Sequence, residues 1–121
     1  MPCPLFLPFP QAPPIGEPFA GRCRANPAAE LPFELLLCSC NPGYARGTCP
    51  LASGAREDSY RFLIQSHTNG VFRVAWSSER DHGPVEVGTL ELRESDPADN
   101  PLEAQARAHI AEYLRRSGTV W

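Results

Sequence analysis

Four cysteines that fall close together in the chain are the residues whose type and spacing most directly indicate chemistry. They are Cys23, Cys38, Cys40 and Cys49, and the last three belong to the segment CSCNPGYARGTCP. Thiols clustered in this way bind a metal ion, hold an iron–sulfur cluster or form disulfides. We therefore take the cluster as the main functional feature of a sequence that names no substrate and no reaction.

The spacing of these cysteines favours a metal site. Cys38 and Cys40 are two residues apart, so on an extended segment both sulfurs would lie on the same face. The turn residues NPG and Gly47 would let the chain return to deliver Cys49, and Cys23 would supply the fourth ligand. Four thiolates around one ion form a closed zinc site that adds folding energy, and the same four could hold an iron–sulfur cluster. The sequence thus predicts zinc or an iron–sulfur cluster as cofactor.

Other roles for the thiols stay open. The chain lacks the paired Cys-x2-Cys hooks of familiar zinc ribbons, and disulfides, a redox pair or unligated core thiols would also explain the count. Cys3 is placed outside the set, although it could replace Cys23 as a ligand or pair with it. His67 is a reserve ligand. Tyr44 and Arg46 lie between the cysteines, and we expect them to pack over the metal loop.

A second group of polar residues, ERDH, lies at a predicted turn of the sheet. An acid–base reading has His82 oriented by Asp81 or Glu79, which makes Glu79 and His82 weak catalytic candidates. His82 is also a reserve metal ligand. The ordinary reading is a solvated hairpin turn, because adjacent residues on a turn rarely converge on one point. We favour that reading and expect a protein without catalytic activity.

Length and composition limit the class of protein. A chain of 121 residues with 42% hydrophobic residues is the size of one domain with one small core. The formal net charge of −3 argues against a nucleic-acid partner. No stretch approaches the roughly 18 apolar residues of a membrane-spanning helix, and the start has no basic signal region. These features predict a cytoplasmic protein without a membrane partner, in a reducing compartment that disfavours structural disulfides.

Proline divides the chain unevenly, with eleven of its fourteen residues in the first 50 positions. Residues 1–20 should form an extended arm without ladder or helix hydrogen bonds of its own. The arm also carries large apolar side chains, so we expect it to pack along its own domain or along a partner. The predicted surface for a protein partner is this Pro-rich arm or the GYARG loop.

Residues 21–121 are predicted to form a single small domain with a Cys-rich lobe (21–56), an antiparallel sheet (57–92) and a helix (100–117). Within the lobe, Leu31–Cys40 reads as a short strand. In the sheet, a three-residue loop from Thr68 to Gly70 would bring Phe62 and Ile64 to the face that carries Val74 and Trp76. A bulge at Gly88 would explain a change of apolar parity in the third strand.

The last element has clear boundary signals. Asn100 can cap the helix, Pro101 suits its first position, Glu103 completes a box-like arrangement and Gly118 ends it. An apolar stripe should face the sheet.

The predicted fold is α+β, with a three- to four-stranded antiparallel sheet covered by a C-terminal helix, and an irregular Cys-rich, Pro-rich N-terminal lobe. The predicted function is a small metal-binding accessory or protein-interaction module stabilised by the four-cysteine site. An iron–sulfur redox, electron-transfer or sensor protein is the first alternative. A small enzyme that uses the cluster from Glu79 to His82 is the second.

Overall fold

The computed structural model describes residues 2–45, 49–52 and 54–121. Strands β1 and β2 form one antiparallel sheet, and β3, β4 and β5 form a second in that order. In chain order the elements are β1 (Phe6–Pro8), β2 (Gly21–Cys23), α1 (Phe33–Leu35), a π-helical turn (Leu36–Cys40), a 3-10 turn (Pro50–Ala52), β3 (Ser59–Thr68), β4 (Val71–Arg80), β5 (Gly83–Arg93) and α2 (Pro101–Ser117). The expected α+β class, with a three-stranded antiparallel sheet and a C-terminal helix, is confirmed.

In the first hairpin of the larger sheet, the predicted side chains share one face, but the turn differs from the prediction. Thr68 pairs with Val71, so the loop has two residues, Asn69 and Gly70, at φ 54° and 75°. Positive φ at both positions is the geometry of a type I′ turn, which matches the twist of the strands. The predicted three-residue loop is therefore wrong. An irregularity at Gln65 shifts the register instead, and this shift leaves Phe62 and Ile64 opposite Trp76 and Val74.

The second register shift lies elsewhere than predicted. It falls between Ser78 and Glu79 and leaves Val85 as the extra residue of β5, so the predicted bulge at Gly88 is wrong. Gly88 lies directly opposite Trp76, and a Cβ atom there would be 2.7 Å from three atoms of the indole. The glycine therefore makes room for a large aromatic ring on the neighbouring strand.

Helix α2 begins and ends where the sequence predicted. The Asn100 side chain accepts a hydrogen bond of 2.9 Å from the backbone N–H of Glu103, and Gly118 is left-handed at φ 69°. Ala106 and Ile110 are fully buried against the sheet, in a core with Phe72, Val74 and Leu92. Within the part of the chain that the structure describes, no helix is long and apolar enough to cross a membrane.

The N-terminal arm packs along its own domain and, contrary to expectation, makes ladder pairs. Phe6, Leu7 and Pro8 pair with Cys23, Arg22 and Gly21 in antiparallel register. A Cβ atom on Gly21 would approach the Leu7 carbonyl oxygen to 2.3 Å. The absence of a side chain at this position therefore lets the two segments pair closely.

The segment predicted as a strand, Leu31–Cys40, is instead helical from Phe33 to Cys40. Pro32 precedes the first helical residue, and its carbonyl accepts from the Leu36 N–H at 3.0 Å. The Leu36 carbonyl then accepts from the Asn41 N–H five residues on, also at 3.0 Å, which is the π-helical pattern. The run FELLLC contains no β-branched residue, and leucine and glutamate favour helices, so local propensity agrees with the observed turn.

Candidate functional site

Four thiols do come together, but they are not the four that the sequence predicted. Cys3, Cys23, Cys40 and Cys49 line one apolar cavity of about 20 Å³ in the N-terminal half of the chain. Cys3, Cys23 and Cys40 are buried and Cys49 is half-buried. Cys38 is exposed and does not line this cavity, because residues two apart on a helix do not share a face. The arm residue Cys3 takes the place expected for Cys38.

The environment of this thiol cluster favours the protonated form of two of its thiols, Cys3 and Cys40. Burial raises the pKa of the Cys40 thiol to about 12, and the neighbouring thiols Cys3, Cys23 and Cys49 add to the rise. Burial also raises the pKa of Cys3. Thiolates of Cys3 and Cys40 are therefore scarce at neutral pH, and these two residues are neutral thiols rather than activated nucleophiles.

The predicted metal-binding function is wrong. Among the residues that the structure describes, no group of three or more His, Cys, Asp or Glu side chains could hold a metal ion. The physical reason lies in the helical turn, since the pair Cys38 and Cys40 was predicted to chelate from one face of a strand and instead points to different surroundings. The predicted accessory or interaction module and its alternative, an iron–sulfur redox protein, both depend on that site, so both predictions are wrong as well. The predicted cofactors, zinc or an iron–sulfur cluster, stay predictions from the sequence alone.

The polar residues near the second hairpin turn form a closed network around Glu79. This carboxylate, only 4% exposed, accepts hydrogen bonds from the Tyr44 hydroxyl (2.7 Å), the Ser59 hydroxyl (3.0 Å) and the Arg61 Nε atom (2.6 Å). The Tyr44 ring stacks on His82 at 4.6 Å, and its hydroxyl accepts from the His82 backbone N–H at 3.0 Å. Tyr44 therefore packs against the sheet rather than over the cysteines.

This network does not support the acid–base roles proposed for Glu79 and His82. Burial alone would raise the pKa of Glu79, but the hydrogen bonds from Arg61, Tyr44 and Ser59 lower it below its usual range. A carboxylate with three donors and a lowered pKa is a poor proton acceptor at neutral pH. Arg46, the other residue expected near the cysteines, lies outside the described residues.

A larger cleft lies where the arm, strand β3 and helix α2 meet. Its volume is about 340 Å³, within the range of small-molecule sites. The apolar part of its wall consists of aromatic, proline and alanine side chains: Pro2, Phe6, Pro8, Phe19, Phe62 and Ala108. The polar part consists of Asn41, Tyr60, Arg61, Gln105, His109 and Glu112. A mostly apolar wall with a few polar groups is the usual composition of a ligand site.

Gln105 is the residue that distinguishes this cleft. Its side chain is 1% exposed, and its Nε2 donates to the carbonyls of Cys3 (2.7 Å) and Phe6 (2.9 Å). Both acceptors are carbonyl oxygens, so the amide orientation is fixed, and Oε1 is left buried without a hydrogen-bond partner. Buried polar atoms are nearly always paired in native proteins, so an unpaired one in a residue that lines a cleft requires an explanation.

The charged groups of the cleft are compensated. Arg61 is paired with Glu79 at 2.6 Å, and Glu112 is paired with Arg115 and with Arg116, the latter at 2.7 Å. Burial lowers the pKa of His109, so its imidazole is neutral at neutral pH. The cleft therefore presents no uncompensated charge among these groups.

Sequence reasoning missed Gln105 and placed Cys3 outside the main set of cysteines, as a possible replacement for Cys23 or a partner of it. The signal for Gln105 was a second set of helix positions with small or polar side chains, Pro101, Ala104, Gln105 and Ala108, all of which are buried. Their three- and four-residue spacing marks a second face beside the apolar stripe, and small side chains on a helix let another backbone approach closely. Cys3 had no local signal, because its neighbours in space are distant in sequence.

Partner surfaces predicted from the sequence stay predictions. The arm exposes Phe9 (44%) and Ile15 (78%), while two residues of the GYARG segment, Arg46 and Gly47, are not among the described residues. Comparison of the chain with protein-family models, with curated proteins and with solved structures finds no match. The site therefore has to be interpreted from its own geometry.

Proposed function

We propose that this chain binds a neutral small molecule in the cleft between the arm, β3 and α2. The observation that carries the proposal is the buried, unpaired Oε1 atom of Gln105, a residue that lines a cleft of about 340 Å³. Leaving a buried acceptor unpaired costs about 1–3 kcal/mol, and a bound donor would recover part of that free energy. The protein would then be a binding protein rather than a catalyst.

The chemistry of the wall indicates the class of ligand. Aromatic and proline side chains favour an apolar body, and Gln105 Oε1 requires an N–H or O–H donor. The charged side chains already have partners, so a charged ligand would lose hydration without gaining a counter-ion. The expected ligand is a neutral molecule with an aromatic or aliphatic body and an amide, phenol or alcohol group.

Three probes of nearly equal size test this assignment. Benzamide carries an amide donor, benzonitrile lacks any donor, and benzoate replaces the donor with a charge. The ¹⁵N-labelled chain would be titrated with each probe, and backbone shifts and the Gln105 side-chain NH₂ signals would be followed by NMR. We expect benzamide to bind at the cleft roughly fivefold or more tightly than benzonitrile, on the basis of one hydrogen bond of about 1 kcal/mol, and benzoate to bind weakest.

Two alanine variants of helix α2 provide the matched control. Ala108 is buried in the wall of the cleft, whereas Ala111, one turn later, is not part of that wall. Ala108→Leu should fill the cleft and abolish benzamide binding, and Ala111→Leu should leave it unchanged. Shifts scattered over the surface, or equal binding to the two variants, would overturn the proposed function.

A further inference from the structure

The thiol cluster holds a pair of cysteines whose backbones are in direct contact. The Cys3 N–H donates to the Cys40 carbonyl at 2.9 Å, and both side chains line the same apolar cavity of about 20 Å³. A disulfide requires the Cα atoms of its two cysteines to lie within roughly 4.4–6.8 Å of each other. A direct backbone hydrogen bond between Cys3 and Cys40 brings their main chains into contact, and both thiols face the same cavity. These two observations make the pair the best candidate for a disulfide.

We propose that Cys3 and Cys40 are a disulfide-forming site, oxidised by a low-molecular-weight disulfide such as oxidised glutathione. One cysteine thiolate attacks the reagent, forms a mixed disulfide and releases one molecule of reduced thiol. The second cysteine attacks that mixed disulfide, closes the Cys3–Cys40 bond and releases the second reduced thiol. The two protein thiols lose two electrons and two protons in total, and the reagent gains them.

Among the described residues, Cys3 shares a backbone hydrogen bond with Cys40 and with none of the other three cysteines. Cys23 lies in β2, where its backbone pairs with Phe6, which is three residues after Cys3 in the arm. Cys49 also lines the cavity, but its backbone N–H donates to the Ala45 carbonyl at 2.8 Å and not to the arm. Cys38 is exposed and lies outside the cavity. The Cys3–Cys40 backbone contact is the feature that selects this pair.

The bond would join the arm to the helical turn, and its formation has two expected properties. It should be slow at neutral pH and faster at higher pH, because burial raises the pKa of both thiols. It should also stabilise the fold, since it closes a long loop of the unfolded chain. Neither property depends on the ligand proposed for the cleft.

The experiment uses the full-length Cys38→Ser chain, so that the exposed thiol does not react. The reduced protein is incubated with oxidised glutathione at pH 8.5, alkylated, digested with trypsin and analysed by mass spectrometry without reduction. Cleavage after Arg22, Arg24, Arg46 and Arg56 would place Cys3, Cys23, Cys40 and Cys49 in four different peptides. We expect a disulfide between peptides 1–22 and 25–46, and a rise in Tm of roughly 10 °C that reducing agent reverses.

Two further chains serve as controls. Cys23→Ser in the Cys38→Ser background should still form the bond, whereas Cys3→Ser should form neither the bond nor the stabilised species. A dominant cross-link from peptide 1–22 to 23–24 or to 47–56 would overturn the assignment. So would a product that carries glutathione adducts alone. The Cys38→Ser chain by itself shows which two peptides are cross-linked, so the assignment of the disulfide can be tested even if one of the control variants folds poorly.

Discussion

The role of Gln105 can be tested by changing one atom of its side chain. In Gln105→Glu, the amide nitrogen that donates to the Cys3 and Phe6 carbonyls becomes an oxygen. An ionised carboxylate would then face two carbonyl oxygens in a buried place, which costs several kcal/mol. The folded protein should avoid this arrangement by keeping the new carboxyl protonated, with a pKa raised far above its value in the unfolded chain.

The magnitude follows from this proton. A protonated carboxyl can donate one hydrogen bond where the amide donated two, which costs about 1 kcal/mol. Holding a carboxyl of ordinary pKa, about 4.3, protonated at pH 7 costs up to about 3.7 kcal/mol more, at about 1.36 kcal/mol per pH unit. Because the folded-state pKa is raised, the pH-dependent cost is absent below about pH 4.3, where only the lost hydrogen bond destabilises the variant, and it grows as pH rises above that value. We expect a loss of about 1 kcal/mol at pH 4 and about 4–5 kcal/mol at pH 7.

Urea unfolding at both pH values measures this difference, with each variant compared with wild type at the same pH. Gln105→Met removes both donors and the unpaired oxygen together, so it should lose only about 1–2 kcal/mol, equally at both pH values. Gln65→Glu, at an exposed position of β3, is the matched control and should show little change. A Gln105→Glu loss that does not depend on pH would refute the hydrogen-bonding role of this side chain.

Three other perturbations have defined outcomes. Gly88→Ala should lower the free energy of unfolding in urea by about 1–3 kcal/mol, because the new Cβ atom would lie 2.7 Å from the Trp76 indole. Gly83→Ala is the control: its Cβ atom would have its nearest neighbour at 3.6 Å, so the free energy of unfolding should change by less than about 0.5 kcal/mol. Equal effects of the two alanines would contradict the packing described for β4 and β5. Because the pKa of Glu79 is lowered in the folded protein, its carboxylate stabilises the fold above about pH 4.5, and this stabilisation is lost as pH falls. The Glu79→Gln variant should therefore be about 2 kcal/mol less stable than wild type at pH 7, and its stability should depend less on pH in the acid range. An unchanged acid profile would show that the carboxylate is not held by its three donors. In the native reduced protein, the exposed thiol of Cys38 should react with a thiol reagent at least roughly tenfold faster than the buried thiols, as followed by peptide mass spectrometry; equal rates would contradict the thiol cluster.

Local signals predicted the elements they control directly. Helix α2 was predictable to its boundaries because Asn100 and Gly118 act within one turn of the helix ends. For the hairpin of β3 and β4, the sequence predicted which side chains share the buried face, because burial fixes that choice. It did not predict the turn, because a bulge at Gln65 and a three-residue loop would both bring the same side chains to that face. A short apolar run without clear periodicity is ambiguous between helix and strand, and Leu31–Cys40 shows that ambiguity.

The candidate site was not predictable for a different reason. It depends on contacts between residues far apart in sequence, such as the hydrogen bonds from Gln105 to the carbonyls of Cys3 and Phe6. No local pattern encodes which arm residue meets which helix residue. The sequence indicated a cluster of thiols, but the helical geometry that removed Cys38 and the arm position that added Cys3 became visible only in three dimensions.

The bonds between Gln105 and the arm also set an order of events during synthesis. The arm leaves the ribosome before α2, and its hydrogen-bond partner on that helix follows about a hundred residues later, so the arm cannot dock until the helix is made. At typical elongation rates this interval is on the order of 5–20 seconds. During that time the thiols of the arm and of the helical turn are open to solvent, with the ordinary reactivity of free cysteine. Oxidation of these thiols in the nascent chain is therefore possible before the arm docks on α2 and forms the cleft.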